Sequence, residues 1–596
     1  MVVRLNRERR GPRASDKSSG RVIRIVERAT DMAVGTLQKT KLFHYVVPDD
    51  PRFVHDIYTK PAHNAQVGDK VVVKLAEWKS RHVNPEGTIV EVLGKATAPG
   101  VDILSILRKY QLPTHFSDQT LAEAERVSDS IPPGRLDLRG EFIVTIDPDD
   151  AKDFDDAINV DELPDGGWRL GVHIADVSHY VKPGSALDRE ARARGNSVYL
   201  DDRVVPMLPE KLSNGLCSLR PREDRLTMSC FIEFSPKLVA RKVEFASSVI
   251  HSKHRLTYQE AFARLESRDG GDELTRELKK MWKLASKLRA LRFAGGSLNL
   301  EFPEVKVRLD KNGRPLRIEK IYYDISHQLI EEFMLAANEA VARHICNRQV
   351  PGIYRIHDDP DLEKLREFRE YARSFGYKVG DVSQRRELQR LLGAVTGKPE
   401  EYAINLALLR SLKKAKYSTQ SVGHFGLAKK FYTHFTSPIR RYADLVVHRT
   451  LRGLIESSGG MLSVAELSKV AEHVSKTERV AGEAEQESVE LKKIEYFQQQ
   501  IETGKRDRLD SVVSGVRNFG IFVELTESLM RGLVHVSTLD DDFYHYDEIR
   551  ERLVGKRSKR VIQIGDKLTV QVDRVDVFKR QIDFRVVEGK PDRSAK

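Results

Sequence analysis

Six aspartates, Asp147, Asp149, Asp150, Asp153, Asp155 and Asp156, lie within the stretch Thr145-Ile-Asp-Pro-Asp-Asp-Ala-Lys-Asp-Phe-Asp-Asp-Ala157. Carboxylates this close together repel one another, and in a partly buried site they do not all stay ionised unaided. Such a segment is either a solvated acidic loop or the wrapping of a hard cation. Acidic runs usually solvate. This one, however, is entered through Phe142, Ile143, Val144 and Ile146 and left through Ala157 and Ile158, apolar residues of strand type. Pro148 also fixes the backbone where a solvated loop would leave it free. An all-oxygen donor set suits magnesium or manganese, not zinc. The stretch points to a metal-dependent hydrolytic site.

The chain around this acidic pocket is basic. Across 596 residues the formal charge is +12, a balance suited to a polyanionic substrate. The length suggests roughly four domains and a core that needs no staples. Cys217, Cys230 and Cys346 show no Cys-x-x-Cys spacing, so buried thiols in a reducing compartment are expected. Residues 1–20 are basic and polar and lack an apolar h-region, so no secretory signal is expected. No apolar run approaches the ~20 residues of a membrane span. The expectation is a cytoplasmic, soluble monomer without a membrane partner.

Residues 1–20 read as a disordered basic arm and 589–596 as a flexible tail. From Arg21, β-type runs follow one another: Arg21–Val26, Met32–Leu37, Phe43–Val47, Gly68–Leu75 and Gly87–Leu93. Five short strands in about 75 residues predict a small closed barrel of the oligonucleotide-binding (OB) type over 21–100. A connector, 101–135, contains the boundary Ile131-Pro-Pro-Gly134. The central body, 136–503, begins with strands and continues with helices. Capping boxes at Thr257-x-x-Glu260 and Ser463-x-x-Glu466 mark two helix starts, and Leu274, Leu278, Met281, Ala285 and Leu288 form one apolar stripe. Further strands within 506–588 predict a second barrel. The expected class is multidomain, with OB-fold β-barrels flanking a large α+β domain. Phe519, Phe522 and His535 of the second barrel stand among Arg517, Arg531 and Lys567, the composition of a single-strand binder. Packing of Phe522 in the barrel core is an equal reading.

A second chemical cluster is Tyr432-Thr-His-Phe-Thr-Ser-Pro-Ile-Arg-Arg-Tyr442, followed by Asp444. Ser437 reads as an N-cap and Pro438 as the first helical position, so a helix is predicted to start there. Its unpaired amides, with Arg440, Arg441 and the hydroxyls of Tyr432, Thr433 and Thr436, would seat a phosphate. The competing reading is surface ion pairing, for instance of Arg440 with Asp444. His357-Asp358 alone would suggest an HD-type metallophosphohydrolase, but no motif places further histidine ligands.

Together these motifs resemble the ribonuclease II/ribonuclease R (RNB) family of processive 3′→5′ exoribonucleases. His173-Ile-Ala-Asp-Val177, Pro206-Met-Leu-Pro209, Leu212-Ser-Asn-Gly-Leu-Cys-Ser-Leu219, Ile353-Tyr-Arg-Ile-His357 and His424-Phe-Gly-Leu427 extend the likeness from about Gly20 to Val587. The resemblance implies a cold-shock-like barrel, an RNB catalytic domain and an S1-like barrel. It implies Mg2+, with Mn2+ as the alternative, on Asp147, Asp153 and Asp156. Asp155 matches an acidic residue that contacts the terminal nucleotide and is needed for cleavage, and Arg440 an arginine on the scissile phosphate. Tyr199 matches a tyrosine that packs on the last nucleotide and sets the final product length. Glu485 matches a glutamate near the RNA end and joins the expected catalytic set. Where the family has an aromatic that ends the base stack, this chain reads Gly296-Ser-Leu-Asn-Leu300. The clamp is then aliphatic or supplied by Phe302. Phe302, Thr436, Arg441, Phe519, Phe522 and His535 are the expected further RNA contacts.

The implied activity is hydrolysis of single-stranded RNA to 5′-mononucleotides by a two-metal mechanism, leaving a short oligonucleotide, in RNA turnover. The rival from another class is a catalytically silent RNA-binding scaffold, against which the intact aspartates and Arg440 argue.

Overall fold

The computed structural model describes residues 2–5, 20–24 and 31–587, apart from 62–63, 78–82, 269–270, 301, 399, 458–461, 549 and 578. The expected tail, 589–596, and most of the expected arm, 6–19, lie outside the described residues. Within the arm one expectation is corrected. Val2–Leu5, rich in β-branched residues, is a strand that pairs antiparallel with Gly20–Arg24.

The chain divides into two compact units, 1–112 and 113–596. The first unit holds a closed five-stranded barrel: Met32–Lys39, His44–Pro48, Ile57–Thr59, Asp69–Leu75 and Glu86–Lys95. Two sequence assignments change here. Arg21–Val26 is not a barrel strand, because Gly20–Arg24 is paired with Val2–Leu5 instead. The missing fifth strand is Ile57–Thr59, too short to carry a readable alternation. Ala33, Leu37, Val46, Ile57, Val71 and Val73 fill the interior.

The second unit is built on a seven-stranded sheet. Its order is His254–Thr257, Val144–Asp147, Asp156–Glu162, Trp168–Ala175, Asp224–Phe234, Ala240–His251 and Leu136–Asp137. Pairing is antiparallel inside and parallel at both edges. The central strands are apolar on both faces, as in Trp168–Ala175, whose every residue but Arg169 is buried. Such a strand needs cover on two sides. Helices Glu273–Ala294, Ile325–Asn347 and Tyr442–Glu456 contribute Leu278, Met281, Phe333, Val341, Leu445 and Leu451 to the same core. Helices Leu362–Ser374, Arg385–Val395 and Glu401–Ser411 form an insertion with a hydrophobic cluster of its own. A single helix, Val464–Glu502, opens on the predicted capping box of Ser463 and Glu466.

The second barrel closes through Leu509–Arg517, Gly520–Leu525, Arg531–His535, Gln581–Val586 and Lys567–Asp576. Between its third and fourth strands the chain adds a three-stranded sheet, Tyr544–Asp547, Arg552–Gly555 and Val561–Gln563, that periodicity does not reveal.

Asp176 ties the edges of the central domain together. It is 0% exposed and is met by Arg135 at 2.6 Å and Arg452 at 2.5 Å, with the Ser178 hydroxyl donating at 2.9 Å. Burial alone would raise its pKa, but the two guanidiniums outweigh burial and hold the carboxylate below its usual range. Asp176→Ala leaves both arginines without their shared partner. It is expected to cost about 3–5 kcal/mol, read as a lower melting temperature for this domain. A shift of less than about 1 °C would show that the triad is dispensable.

Candidate active site

Asp147 ends one strand and Asp156 begins its neighbour, so the six aspartates lie in a single inter-strand loop, 148–155, and at the two strand ends that flank it. The loop is braced from several sides. The Ser218 hydroxyl donates to the Lys152 carbonyl at 2.7 Å and accepts the Phe154 amide at 3.1 Å. The Leu219 amide donates to the Phe154 carbonyl at 3.0 Å. Arg255 donates to the carbonyls of Pro148 (2.5 Å) and Asp149 (3.2 Å). Asp150 pairs with Lys306 at 2.5 Å and Asp149 with Arg308 at 3.4 Å, both cations on strand Glu304–Leu309. These two aspartates therefore anchor the loop to a neighbouring hairpin.

The other four carboxylates face inward. Asp147 is pushed well above the usual carboxylate range by burial and by the charge of Asp156, and its Oδ2 is buried without a hydrogen-bond partner. Burial pushes Asp156 up to about 6 against the pull of Arg440 and Arg441. Burial also raises Asp155 well above its ordinary value. Asp155 accepts the Ile439 amide at 3.0 Å, and its other oxygen lies 3.5 Å from Arg440 Nε. Asp153 accepts the Tyr199 hydroxyl at 2.7 Å. Repelling oxygens with an orphaned buried atom are the environment a hard cation relieves. Even so, among the described residues no three His, Cys, Asp or Glu side chains are grouped so as to hold a metal ion. Asp153 is turned to Tyr199 and Asp155 to Ile439.

The Arg440 segment departs from its predicted form. The helix begins at Tyr442, not at Ser437-Pro438. The reason lies four residues beyond Arg440. Asp444 Oδ1 accepts the Ser437 amide at 2.8 Å, and Arg441 forks onto the same carboxylate at 2.8 and 2.9 Å. This closes 437–441 as a turn ahead of the helix. It is Arg441, not Arg440, that pairs with Asp444. Arg441 is thereby engaged, and Thr436 is buried, so neither stands open as an RNA contact. Arg440 remains 44% exposed in its side chain, braced by its bond to the Ser437 hydroxyl at 2.9 Å.

Tyr199 lies on the small hairpin Val198–Tyr199/Val204–Val205, which rests on helix Val464–Glu502. Glu485 accepts the Tyr199 amide at 2.8 Å, and the Ser488 hydroxyl bridges the amide and carboxylate of Asp201 at 3.1 and 2.9 Å. Glu485 thus reaches the site by holding the tyrosine's backbone. Gly195 precedes the hairpin at φ 70°, and a Cβ there would stand 2.2 Å from Thr477 Oγ1, so glycine permits the close approach.

Tyr258 is a neighbour that motif reading missed. It follows Thr257, which pairs with Asp147. Its ring stacks on His327 at 3.9 Å, and burial and the charges of Asp156 and Asp147 raise its phenol pKa. Phe302 stands edge-on to Tyr402 of the three-helix insertion at 6.2 Å. Phe519 and Phe522 meet edge-to-face at 6.0 Å, and with His535 they lie exposed on the second barrel. The core alternative for Phe522 is therefore excluded. His357 packs edge-on to His424 at 5.1 Å, while Asp358 pairs with Lys416 at 3.0 Å, an arrangement unlike an HD metal centre.

The RNB domain matches residues 135–457, the cold shock domain 45–117 and the S1 RNA binding domain 502–586. Ribonuclease R of Thermotoga maritima is 43% identical over 96% of this chain and 82% of its own length. The chain belongs to the RNB family. Ribonuclease R of Escherichia coli is 37% identical, over 98% of this chain and 74% of its own. Mycoplasma genitalium RNase R, solved in complex with ribose methylated single-stranded RNA, superposes with a TM-score of 0.84 at 28% identity. That match covers 98% of this chain and 94% of the other. This RNB protein is a ribonuclease R-like, processive 3′→5′ exoribonuclease, and its membership implies a metal-dependent nuclease. No helix among the described residues is long and apolar enough to cross a membrane.

Ser218→Ala would strand the Phe154 amide and the Lys152 carbonyl at the loop's base. The expected cost is about 1–3 kcal/mol of stability, with turnover falling more than roughly tenfold as the carboxylates lose their frame. Thermal melting and steady-state RNA degradation check both, and unchanged turnover would remove Ser218 from the site's support.

Proposed function

We propose that this RNB exoribonuclease hydrolyses single-stranded RNA from the 3′ end to 5′-mononucleotides, with Asp147, Asp153 and Asp156 holding Mg2+. One observation carries the reading. Asp155 of the acidic loop bonds to Ile439, 284 positions away, and faces the neighbouring Arg440, so carboxylates and a half-exposed arginine share one site. Arg440 offers a fixed positive charge to the scissile phosphate. Asp155 orients that arginine and holds the turn through the Ile439 amide. The Tyr199 ring, fixed by Glu485 from behind and Asp153 at its hydroxyl, provides a face for the terminal base. A bound divalent cation supplies Lewis-acid stabilisation and an activated water. The exposed Phe519, Phe522 and His535 offer stacking faces to the incoming strand.

Asp155→Asn is expected to abolish release of mononucleotides from 3′-labelled oligo(A) while changing affinity less than a few-fold. Undiminished release would sink the assignment. A chelator should stop wild-type turnover, and Mg2+ or Mn2+ restore it.

Because Asp156 sits at about 6, protons and cation compete for its oxygens. The charged form prevails above that value, so Mg2+ half-saturation should rise as pH falls through about 6, by up to roughly tenfold per unit. A pH-independent half-saturation would contradict this.

Tyr199→Ala should lengthen the final oligonucleotide. Phe302→Ala, at the Tyr402 contact, should leave its length unchanged, and product sizing on a sequencing gel decides between them.

A further inference from the structure

We propose that the open end of the three-stranded sheet Tyr544–Asp547, Arg552–Gly555 and Val561–Gln563 is a second RNA contact. It grips the strand upstream of its 3′ end, apart from the barrel face of Phe519, Phe522 and His535. The inference rests on single-stranded RNA being the substrate. Two kinds of group meet there. Phe543 is 72% exposed, and next to it the turn Lys556-Arg557-Ser558-Lys559 is exposed throughout. Exposed phenyl rings stack on bases and unpaired cations track phosphates.

The turn is built, not frayed. Asp542 Oδ2 accepts the amides of Arg557 at 2.8 Å and Ser558 at 2.6 Å, and the Ser558 hydroxyl at 2.7 Å. These bonds, led by the Ser558 amide, hold the Asp542 carboxyl down at about 2. The Lys556 amide donates to the Phe543 carbonyl at 2.8 Å, fixing ring and turn side by side. Gly555 makes room, since a Cβ there would lie 2.6 Å from Asp542 Oδ2. The Asp542 charge is thus spent on backbone amides. Lys556, Arg557 and Lys559 make no ion pair among the described residues, whereas Arg552 on the same sheet and Arg560, just before its third strand, are paired with Asp547 and Asp541. A surface that neutralises its structural arginines and leaves three turn cations open suits a polyanion.

Its placement suits the same strand that meets the barrel. The opposite end of the sheet is tied to the barrel by Arg517–Glu551 at 3.3 Å, two residues from Phe519. Four-residue strands separate the two ends by about 13 Å, or roughly four stacked bases at ~3.4 Å each. RNA leaving the barrel face reaches Phe543 a few nucleotides further upstream.

The test compares the parent with a variant carrying Phe543→Ala, Lys556→Gln, Arg557→Gln and Lys559→Gln. In an Asp155→Asn background, affinity is measured against salt for oligo(A) of about 25 and about 8 nucleotides. For the long strand, affinity should fall roughly tenfold or more and the log–log salt slope shrink by about 2. The short strand and the melting temperature should be unaffected. In the otherwise wild-type enzyme, KM for the long strand should rise with kcat held. Unchanged affinity for the long strand overturns the proposal, and so does equal weakening for both lengths. Failure of the substrate reading would appear separately, as a parent enzyme that releases no nucleotides from either RNA.

Discussion

Mutual repulsion inside one inter-strand loop is the constraint that the central domain answers. Six carboxylates between two buried strands cannot share one fate, and the fold separates them. Asp149 and Asp150 are drawn outward to Arg308 and Lys306. Asp153 is held by a phenol and Asp155 by a backbone amide beside an arginine. That leaves Asp156, raised by burial, and Asp147, raised by burial and by the charge of Asp156, with a buried oxygen of Asp147 unpartnered. An orphaned buried carboxylate oxygen costs free energy unless something with positive charge completes it. A cation held there, as proposed, would offset that cost.

Three segments far apart in sequence supply what the loop lacks. Ser218 and Leu219 brace its backbone, the 437–441 turn brings Arg440, and the long helix positions Tyr199. Each bond is local and modest, typically about 1 kcal/mol net. Their effect is to hold together mutually repelling groups that charge alone would disperse. The Asp176 triad stabilises the same domain from its edge, through arginines that precede the sheet and lie on the helix of Asp444.

Much of this was legible in the chain. The acidic motif, both barrels, both capping boxes and the apolar stripe rest on local spacing, and local spacing survives folding. The failures occurred where tertiary partners decide. Ser437-Pro438 has the chemistry of a helix start, but Asp444 takes the Ser437 amide and delays the helix to Tyr442. Ile57–Thr59 is too short for alternation to register. In the three-stranded sheet only Leu553, Gly555 and Ile562 are buried, so charged residues mask its period. Tyr258 belongs to no motif and enters the site only because Thr257 pairs with Asp147 across a parallel edge.

Glu485 shows most directly how a family position and its physical role can differ in kind. Matched by motif, it stands beside the RNA end; in the fold its carboxylate accepts the Tyr199 amide. The ring it positions ends in a hydroxyl bonded to Asp153. A single path thus runs from the long helix through the tyrosine to a carboxylate assigned to the cation. The Tyr199 phenol already occupies Asp153 Oδ2, so a cation held by Asp153, as proposed, would share that carboxylate with the tyrosine. On the proposed assignment, packing of a base on Tyr199 and occupation by the cation would be coupled through that 2.7 Å bond, and such coupling acts equally in both directions. The terminal nucleotide and the metal would then be sensed as one event, which is what a site that must cut once per nucleotide requires.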